Sequence, residues 1–217
     1  MAKLMLVVRR SPGIEPAEIH ERAKRLPDVD GVVGWVANVA DESQAPLGDE
    51  IPTAEAVVEA WLAPGRDVAS VPLDRFLPGL AVEVYEVEER LMWDRHGEWP
   101  LGERAVGFNR IALIPRLPSL TRAEFAAHWT ERHGPLAARH HPGIARYVQN
   151  VVIACHTPGA PDWDGIAELH FVRLEDFTER MHDSPEGKRI IREDVRRFID
   201  RTHGERFLLG RWSILHP

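Results

Sequence analysis

The chain has 217 residues, of which 44% are hydrophobic and 28% charged, and its formal net charge at pH 7 is −7. This length is enough for one domain, or for two small ones, with a buried hydrophobic core. The acidic balance argues against broad nucleic-acid binding, because that function needs a basic surface that displaces counterions.

The sequence also argues against a membrane protein. No apolar run approaches the ~18 residues needed to cross a bilayer. The first ten residues, MAKLMLVVRR, have no small-residue cleavage site and are unlike a signal peptide. The single cysteine, Cys155, excludes an internal disulfide. We therefore expect a cytoplasmic protein without a membrane partner.

Hydrophobic periodicity predicts alternating strands and helices in the first half of the chain. The predicted strands are 3–10, 31–40 and 81–90, with helices at 18–26 and 67–79 and a loop at 41–53. Residues 54–63 are ambiguous, since Ala and Glu favour a helix. Residues 92–108 carry tryptophans, glycines and a proline without periodicity, which is typical of a linker.

The second half predicts the same kinds of element in the same order. The strands are 109–116, 144–154, 165–172 and about 205–215, and the helices are 121–133, 174–182 and 186–200. Thr121 and Glu124 have the spacing of a capping box, which marks a helix start. His133-Gly134-Pro135 predicts the end of that helix, because Gly suits the position after a helix and Pro interrupts it.

Two pairs of segments indicate an internal repeat. VRRSPGIEPAEI (8–19) aligns with IPRLPSLTRAEF (114–125), and VEAWL (58–62) aligns with AELHF (167–171), which matches Glu59 to Glu168. The second alignment favours a strand for 54–63. Each half then reads βαββαβ, a ferredoxin-like unit whose bare sheet face needs a partner.

The predicted fold class is therefore α+β, with two ferredoxin-like repeats whose sheets face each other and form a dimeric α/β-barrel within one chain. We expect an N-terminal repeat at 1–91, a linker at 92–108 and a C-terminal repeat at 109–217.

Strand 165–172 separates into two faces, because alternate residues of a strand point in opposite directions. Ala167, Leu169 and Phe171 form an apolar face that suits packing under helices. Glu168 and His170 lie on the other face, roughly 7 Å apart, where both could contact one small ligand. Trp61 stands at the position equivalent to His170, so we expect the C-terminal half to carry the functional site.

Several motifs in the C-terminal half resemble the EthD family of the dimeric α/β-barrel superfamily. They are R-x-P-x-x-[ST]-x-x-[DE]-F at 116–125, His-Gly-Pro-Leu at 133–136, Tyr-Val-Gln-Asn at 147–150, Asp-Gly-x-x-Glu at 164–168 and Ser-Pro-Glu-Gly at 184–187. Relatives with this architecture include polyketide cyclases, anthrone dehydratases, muconolactone isomerases and small monooxygenases. The resemblance implies a cavity between sheet and helices for planar aromatic or lactone substrates, and proton transfer without a bound cofactor.

The resemblance also implies site residues. His133 is the leading candidate, with Tyr147, Asn150 and Glu168 in support, whereas His170 departs from the aromatic residue that relatives often carry. Trp129 and Arg116 are further candidate substrate contacts, although core packing and a strand-end role are their alternative interpretations.

We therefore hypothesise a cofactor-independent lyase, dehydratase or cyclase, retro-aldol cleavage included, that acts on a small aromatic or polyketide-like compound. His133 and His170 would be its acid–base pair, with Glu168 orienting one of them. A monooxygenase, either cofactor-free or with haem bound through His133, is one alternative. A small-molecule-binding accessory protein is another, and a homodimer stays open. We expect no metal site, since His128 and His133 are five residues apart and do not share a face of an α-helix.

Overall fold

The computed structural model describes residues 1–9, 13, 15–23, 30–41, 54–68, 71, 79–97, 99 and 101–215. Eight strands account for most of this part of the chain: β1 Lys3–Arg9, β2 Val32–Val39, β3 Ala54–Leu62, β4 Val82–Asp94, β5 Phe108–Ile114, β6 Arg146–Cys155, β7 Gly165–Phe171 and β8 Glu205–Leu215. The ambiguous segment 54–63 is thus a strand. Most of the predicted loop 41–53 and helix 67–79 lies outside the described residues.

The strands form a single closed antiparallel barrel, in the order β1-β3-β2-β8-β5-β7-β6-β4. The first four strands lie in the order β4-β1-β3-β2 and the last four in the order β8-β5-β7-β6, and the β2–β8 and β4–β6 pairs join the two sets. The expectation of two sheets stacked face to face therefore needs correction. The sheets meet edge to edge, which leaves neither with an unpaired edge.

Alternation along the strands gives the barrel an inner and an outer surface. Part of the interior is an apolar layer built from both halves, which includes Met5, Val57, Ile111, Ile166 and Leu209. The outer surface of the C-terminal strands packs against helices through a second cluster, which includes Phe108, Phe125, Trp129, Leu169 and Phe171. The inward face of Ile166, Glu168 and His170 and the outward face of Ala167, Leu169 and Phe171 are as the sequence predicts.

The helices of the described chain are α1 Pro16–Ala23, α2 Arg122–Ala127, α3 Gly134–His140, α4 Leu174–Thr178 and α5 Pro185–Val195, and a π-helical turn, His128–His133, joins α2 to α3. No helix of the described residues has the length and apolarity needed to cross a membrane.

The start of α2 is as predicted and its end is not. The Glu124 N–H donates to the Thr121 hydroxyl at 3.2 Å, and the Thr121 N–H donates to the Glu124 carboxylate at 2.8 Å, which completes the capping box. The predicted stop at Gly134 is wrong, because Gly134 has a helical φ of −53° and the chain stays helical to His140. Its N–H bonds the Trp129 carbonyl five residues back. This wide turn precedes Pro135, which has no N–H to contribute to a regular helix.

Replacing Thr121 with alanine should lower the free energy of unfolding by about 1 kcal/mol, because the first turn of α2 loses its cap. Urea denaturation measures this loss. Thr178→Ala is the matched control, since the exposed Thr178 hydroxyl only donates to the Leu174 carbonyl within α4. Equal stabilities of the two variants would contradict a stabilising role for the capping box.

Candidate active site

The predicted site residues lie on two sides of the barrel wall. Asn150, Glu168 and His170 point into the barrel. Tyr147 and Trp129 lie outside it, in the layer between the C-terminal strands and the helices. His133 belongs to the same helical layer, where it contacts α5. The structure therefore does not bring His133 and His170 together on one surface.

Inside the barrel, two buried carboxylates share their cations. Lys3 Nζ lies 2.9 Å from Glu59 Oε2 and 3.2 Å from Glu168 Oε1. Arg211 Nη1 lies 2.8 Å from Glu59 and 3.5 Å from Glu168. Burial favours the neutral acid at both positions, but Lys3 and Arg211 lower the pKa of Glu59 below its ordinary range. Burial and the neighbouring Glu59 raise the pKa of Glu168. We refer to Lys3, Glu59, Glu168 and Arg211 as the ionic layer.

An asparagine holds each of these carboxylates in the same way. Asn38 Nδ2 donates to Glu59 at 3.0 Å and to the Val57 carbonyl at 3.1 Å. Asn150 Nδ2 donates to Glu168 at 2.8 Å and to the Ile166 carbonyl at 3.1 Å. The predicted site residues Asn150 and Glu168 thus form one pair of a twofold-like arrangement.

His170 lies beside the ionic layer, with a protein oxygen at each ring nitrogen. Nδ1 is 2.8 Å from Asn109 Oδ1, and Nε2 is 2.9 Å from the Val106 carbonyl. Burial, with a contribution from Arg211, lowers the pKa of His170 to about 3, so the ring is neutral at pH 7 and its single N–H donates to one of the two oxygens. The Trp99 ring covers it, with centroids 4.7 Å apart. A substrate could reach a His170 nitrogen only by displacing one of these contacts.

The outer layer contains a buried tyrosine hydroxyl that acts as a hydrogen-bond acceptor. The Tyr147 hydroxyl accepts hydrogen bonds from Trp129 Nε1 at 2.9 Å and from Gln149 Nε2 at 3.2 Å. Burial raises the pKa of Tyr147 to about 12, so the hydroxyl keeps its proton at neutral pH. With its lone pairs engaged, that proton is the group that Tyr147 can offer to a bound molecule.

Asp194 of α5 joins two histidines of the π-helical turn. His133 Nδ1 lies 3.0 Å from Asp194 Oδ2, and His128 Nε2 lies 2.9 Å from Asp194 Oδ1. Burial opposes ionisation of Asp194, but the hydrogen bonds with His133 and His128 lower the pKa of its carboxyl. Residues five positions apart share a face when the turn between them is π-helical. The expectation that His128 and His133 lie on different faces of their helix was therefore wrong.

Asp194 is a site residue that the sequence did not indicate. It is 4% exposed and His133 is 7% exposed, so the contact is well shielded from water. An aspartate on Nδ1 fixes the imidazole tautomer and leaves Nε2 as a base, which is the arrangement of an acid–base dyad. A second pair of this kind, His140 Nδ1 with Asp183 Oδ2 at 3.0 Å, lies at the end of α3.

Arg116 lies after β5, and its known contacts are structural. Its Nη1 is 2.6 Å from Asp164 Oδ1, its backbone N–H donates to the other Asp164 oxygen at 2.8 Å, and its Nε donates to the Leu120 carbonyl at 2.8 Å. These bonds tie the segment before α2 to the segment before β7.

Residues 117–202 match a family model described as the EthD domain. The matched range includes α2 to α5, β6 and β7, and therefore His133, Tyr147, Glu168 and Asp194.

Two solved structures are similar to this chain over nearly its whole length. One is described as an anthrone oxidase-like protein, with a TM-score of 0.63, 13% identity and coverage of 98% of this chain and 92% of that one. The other is named "Putative monooxygenase" and comes from Fusobacterium nucleatum, with a TM-score of 0.58, 13% identity and coverage of 99% and 93%. At this identity they show a shared barrel fold. No curated protein matches the chain in sequence.

Replacing Lys3 with methionine should lower the free energy of unfolding at pH 7 by about 3–5 kcal/mol, because Glu59 and Glu168 lose a shared buried cation. Because the pKa of Glu59 is lowered in the folded protein, its charge contributes fully to stability above the ordinary pKa of 4.5. This contribution is lost as the pH falls further towards the lowered pKa. Removing Lys3 raises that pKa, so the difference between variant and wild type should narrow as the pH is lowered to about 4.

Urea denaturation over this pH range measures the effect. Lys188→Met is the matched control, because Lys188 is exposed. A difference that stays constant with pH would contradict an electrostatic role for Lys3.

Proposed function

We propose that this protein is an enzyme that acts on a small aromatic or polyketide-like compound by acid–base catalysis, as a lyase, dehydratase or cyclase. The site we propose is the layer between the C-terminal strands and the helices. The observation that supports it most is the His133–Asp194 pair, with Nδ1 and Oδ2 3.0 Å apart. Trp129, four residues before His133, donates a hydrogen bond to the Tyr147 hydroxyl.

In the proposed reaction, His133 Nε2 takes a proton from an activated carbon of the substrate. The negative charge that develops on the conjugated oxygen is stabilised by the Tyr147 hydroxyl proton. His133 then returns the proton to a departing hydroxyl group, and water is lost. Aldol-type ring closure begins with the same removal of a proton from carbon. In retro-aldol cleavage His133 Nε2 would instead take the proton of the β-hydroxyl group while the C–C bond breaks to an enolate, and none of these routes needs an external oxidant.

The remaining predicted residues take supporting roles in this proposal. Trp129 positions Tyr147, and Arg116 anchors the segment that precedes α2. Asn150, Glu168 and His170 lie behind the wall of the site and fix the strands that present Tyr147. Asp194, rather than His170, would then assist His133 in catalysis.

We also infer that the chain is a tandem repeat of two ferredoxin-like units, 1–91 and 109–217, joined by 92–108. The equal strand order of the two halves and the matching Asn38–Glu59 and Asn150–Glu168 pairs support this inference. The second unit carries the proposed site. Since the two units close a barrel within one chain, a further homodimer would use another surface.

Asp194→Asn and His133→Gln should each lower kcat by about 10²–10⁴-fold, because the base loses its oriented tautomer or its nitrogen. Turnover is sought with hydroxylated anthrones and β-hydroxy aryl ketones, by absorbance and mass spectrometry. His140→Gln is the matched control, since it breaks the other His–Asp pair on the same helical segment. Full turnover by His133→Gln, with a substrate that the wild type converts, would refute the proposed role of His133.

A second candidate is an oxygenase in the same layer, which the names of the two similar structures favour. Deprotonation by His133 would then produce a carbanion that reacts with oxygen. In a haem-dependent form, His133 Nε2 would be the iron ligand and the haem would supply oxygen activation. Substrate-dependent oxygen consumption with product mass increased by oxygen would favour this candidate over the lyase.

The oxygenase experiment is carried out with and without added haem, and a Soret band lost in His133→Gln would identify the haem-dependent form. Turnover under strictly anaerobic conditions at the aerobic rate would exclude the oxygenase. A ligand-dependent rise in Tm without turnover in either atmosphere would instead indicate a binding protein.

A further inference from the structure

Arg110 lies on the strand surface that borders the proposed site, and its side chain has no hydrogen bond or ion pair in the described chain. It is on the outer face of β5, and its neighbours across the sheet are Leu169 of β7 and Leu208 of β8. Tyr147 is the next residue along this row, opposite Leu169. The side chain is half-buried. Among the described residues, no hydrogen bond or ion pair joins the Arg110 guanidinium to another group.

The other partly or fully buried arginines of the barrel strands are paired. Arg9 binds Glu83 and Glu205. Arg211 binds Glu59, and Arg146 lies 3.5 Å from Asp94. Arg110 is therefore an exception within the same barrel.

An unpaired guanidinium in apolar surroundings is unfavourable, because the cation loses water without gaining a counterion. Burial and the nearby Arg206 lower the pKa of Arg110 to about 10. The group is still charged at neutral pH. Leu169 and Tyr147 are themselves buried, so little water can replace a counterion on that side.

We propose that Arg110 binds the carboxylate of an aromatic substrate. The planar guanidinium presents paired N–H donors that match a carboxylate. Leu169 and Leu208 on either side offer apolar surface to a ring, and Tyr147 offers its hydroxyl proton further along the row. This inference rests on the proposed function for the location of the site, and it adds the chemical class of the substrate.

The test compares binding of 2-naphthoate with binding of its neutral isostere 2-naphthamide, by calorimetry. Wild-type protein should bind the acid at least about tenfold more tightly, as expected for one charge-assisted contact. Arg110→Met should abolish that preference, and Arg110→Lys should restore part of it. Arg206→Met is the control, because it removes an exposed cation from the same sheet face and should keep the preference.

A thermal-melting experiment distinguishes ligand binding by Arg110 from a purely structural role of this residue. Arg110→Met should have an unchanged or higher Tm, since it removes an unpaired charge. A lower Tm would indicate an internal partner and overturn the proposal. Equal affinity for acid and amide, absent binding of both, or a preference that survives in Arg110→Met would overturn it as well.

These measurements do not depend on turnover, so they separate the two proposals. Preferential binding of the acid with full activity of His133→Gln would refute the catalytic role of His133 and leave the role of Arg110 intact. Loss of activity in His133→Gln, together with equal binding of acid and amide by the wild type, would support the catalytic role of His133 and refute the role of Arg110.

Discussion

The architecture depends on the ionic layer in the centre of the barrel. Glu59 comes from β3 and Glu168 from β7, and each is at hydrogen-bonding or ion-pair distance from Lys3 of β1 and Arg211 of β8. Two carboxylates this close to each other need shared cations, because burial and mutual repulsion both disfavour their charges. Lys3 and Arg211 come from different halves of the chain, so this requirement is met only when the barrel is closed. In the closed barrel, the strand surfaces that pack against helices therefore face outward.

The outer surface of the barrel carries a cation without an ion pair. Inside the barrel, the cations and carboxylates of the ionic layer pair with one another, whereas Arg110 outside has no pair among the described residues. The helical layer also holds an oriented acid–base pair, His133 with Asp194. Asn150 Oδ1 and Arg211 Nε inside the barrel also lack a hydrogen-bond partner, so unpaired polar atoms alone do not decide between the two surfaces. The oriented His133–Asp194 pair is why we place the site in the outer layer.

The sequence predicted those features that depend on local pattern. Alternation assigned the two faces of β7, the Thr121–Glu124 spacing assigned the start of α2, and the repeat assigned 54–63 as a strand. The incorrect predictions concern features that are set by contacts between distant residues or by unusual backbone geometry. Gly134 and Pro135 favour a helix end, but a π-helical turn carries the chain through them. Asp194 and Lys3 could not be linked to His133 and Glu168, because only the tertiary fold brings residues 61 and 165 positions apart into contact.

The π-helical turn connects the fold to the proposed chemistry. In a regular α-helix, residues five apart diverge by more than a third of a turn, so His128 and His133 could not both contact one carboxylate. The extra residue in the turn aligns them on Asp194 and still leaves Trp129 on the sheet side, bonded to Tyr147. One short segment thus orients the proposed base through Asp194 and the proposed hydrogen-bond donor through Trp129. A regular helix of the same sequence would have to give up one of these contacts, which is a physical reason for the irregular turn at this point of the chain.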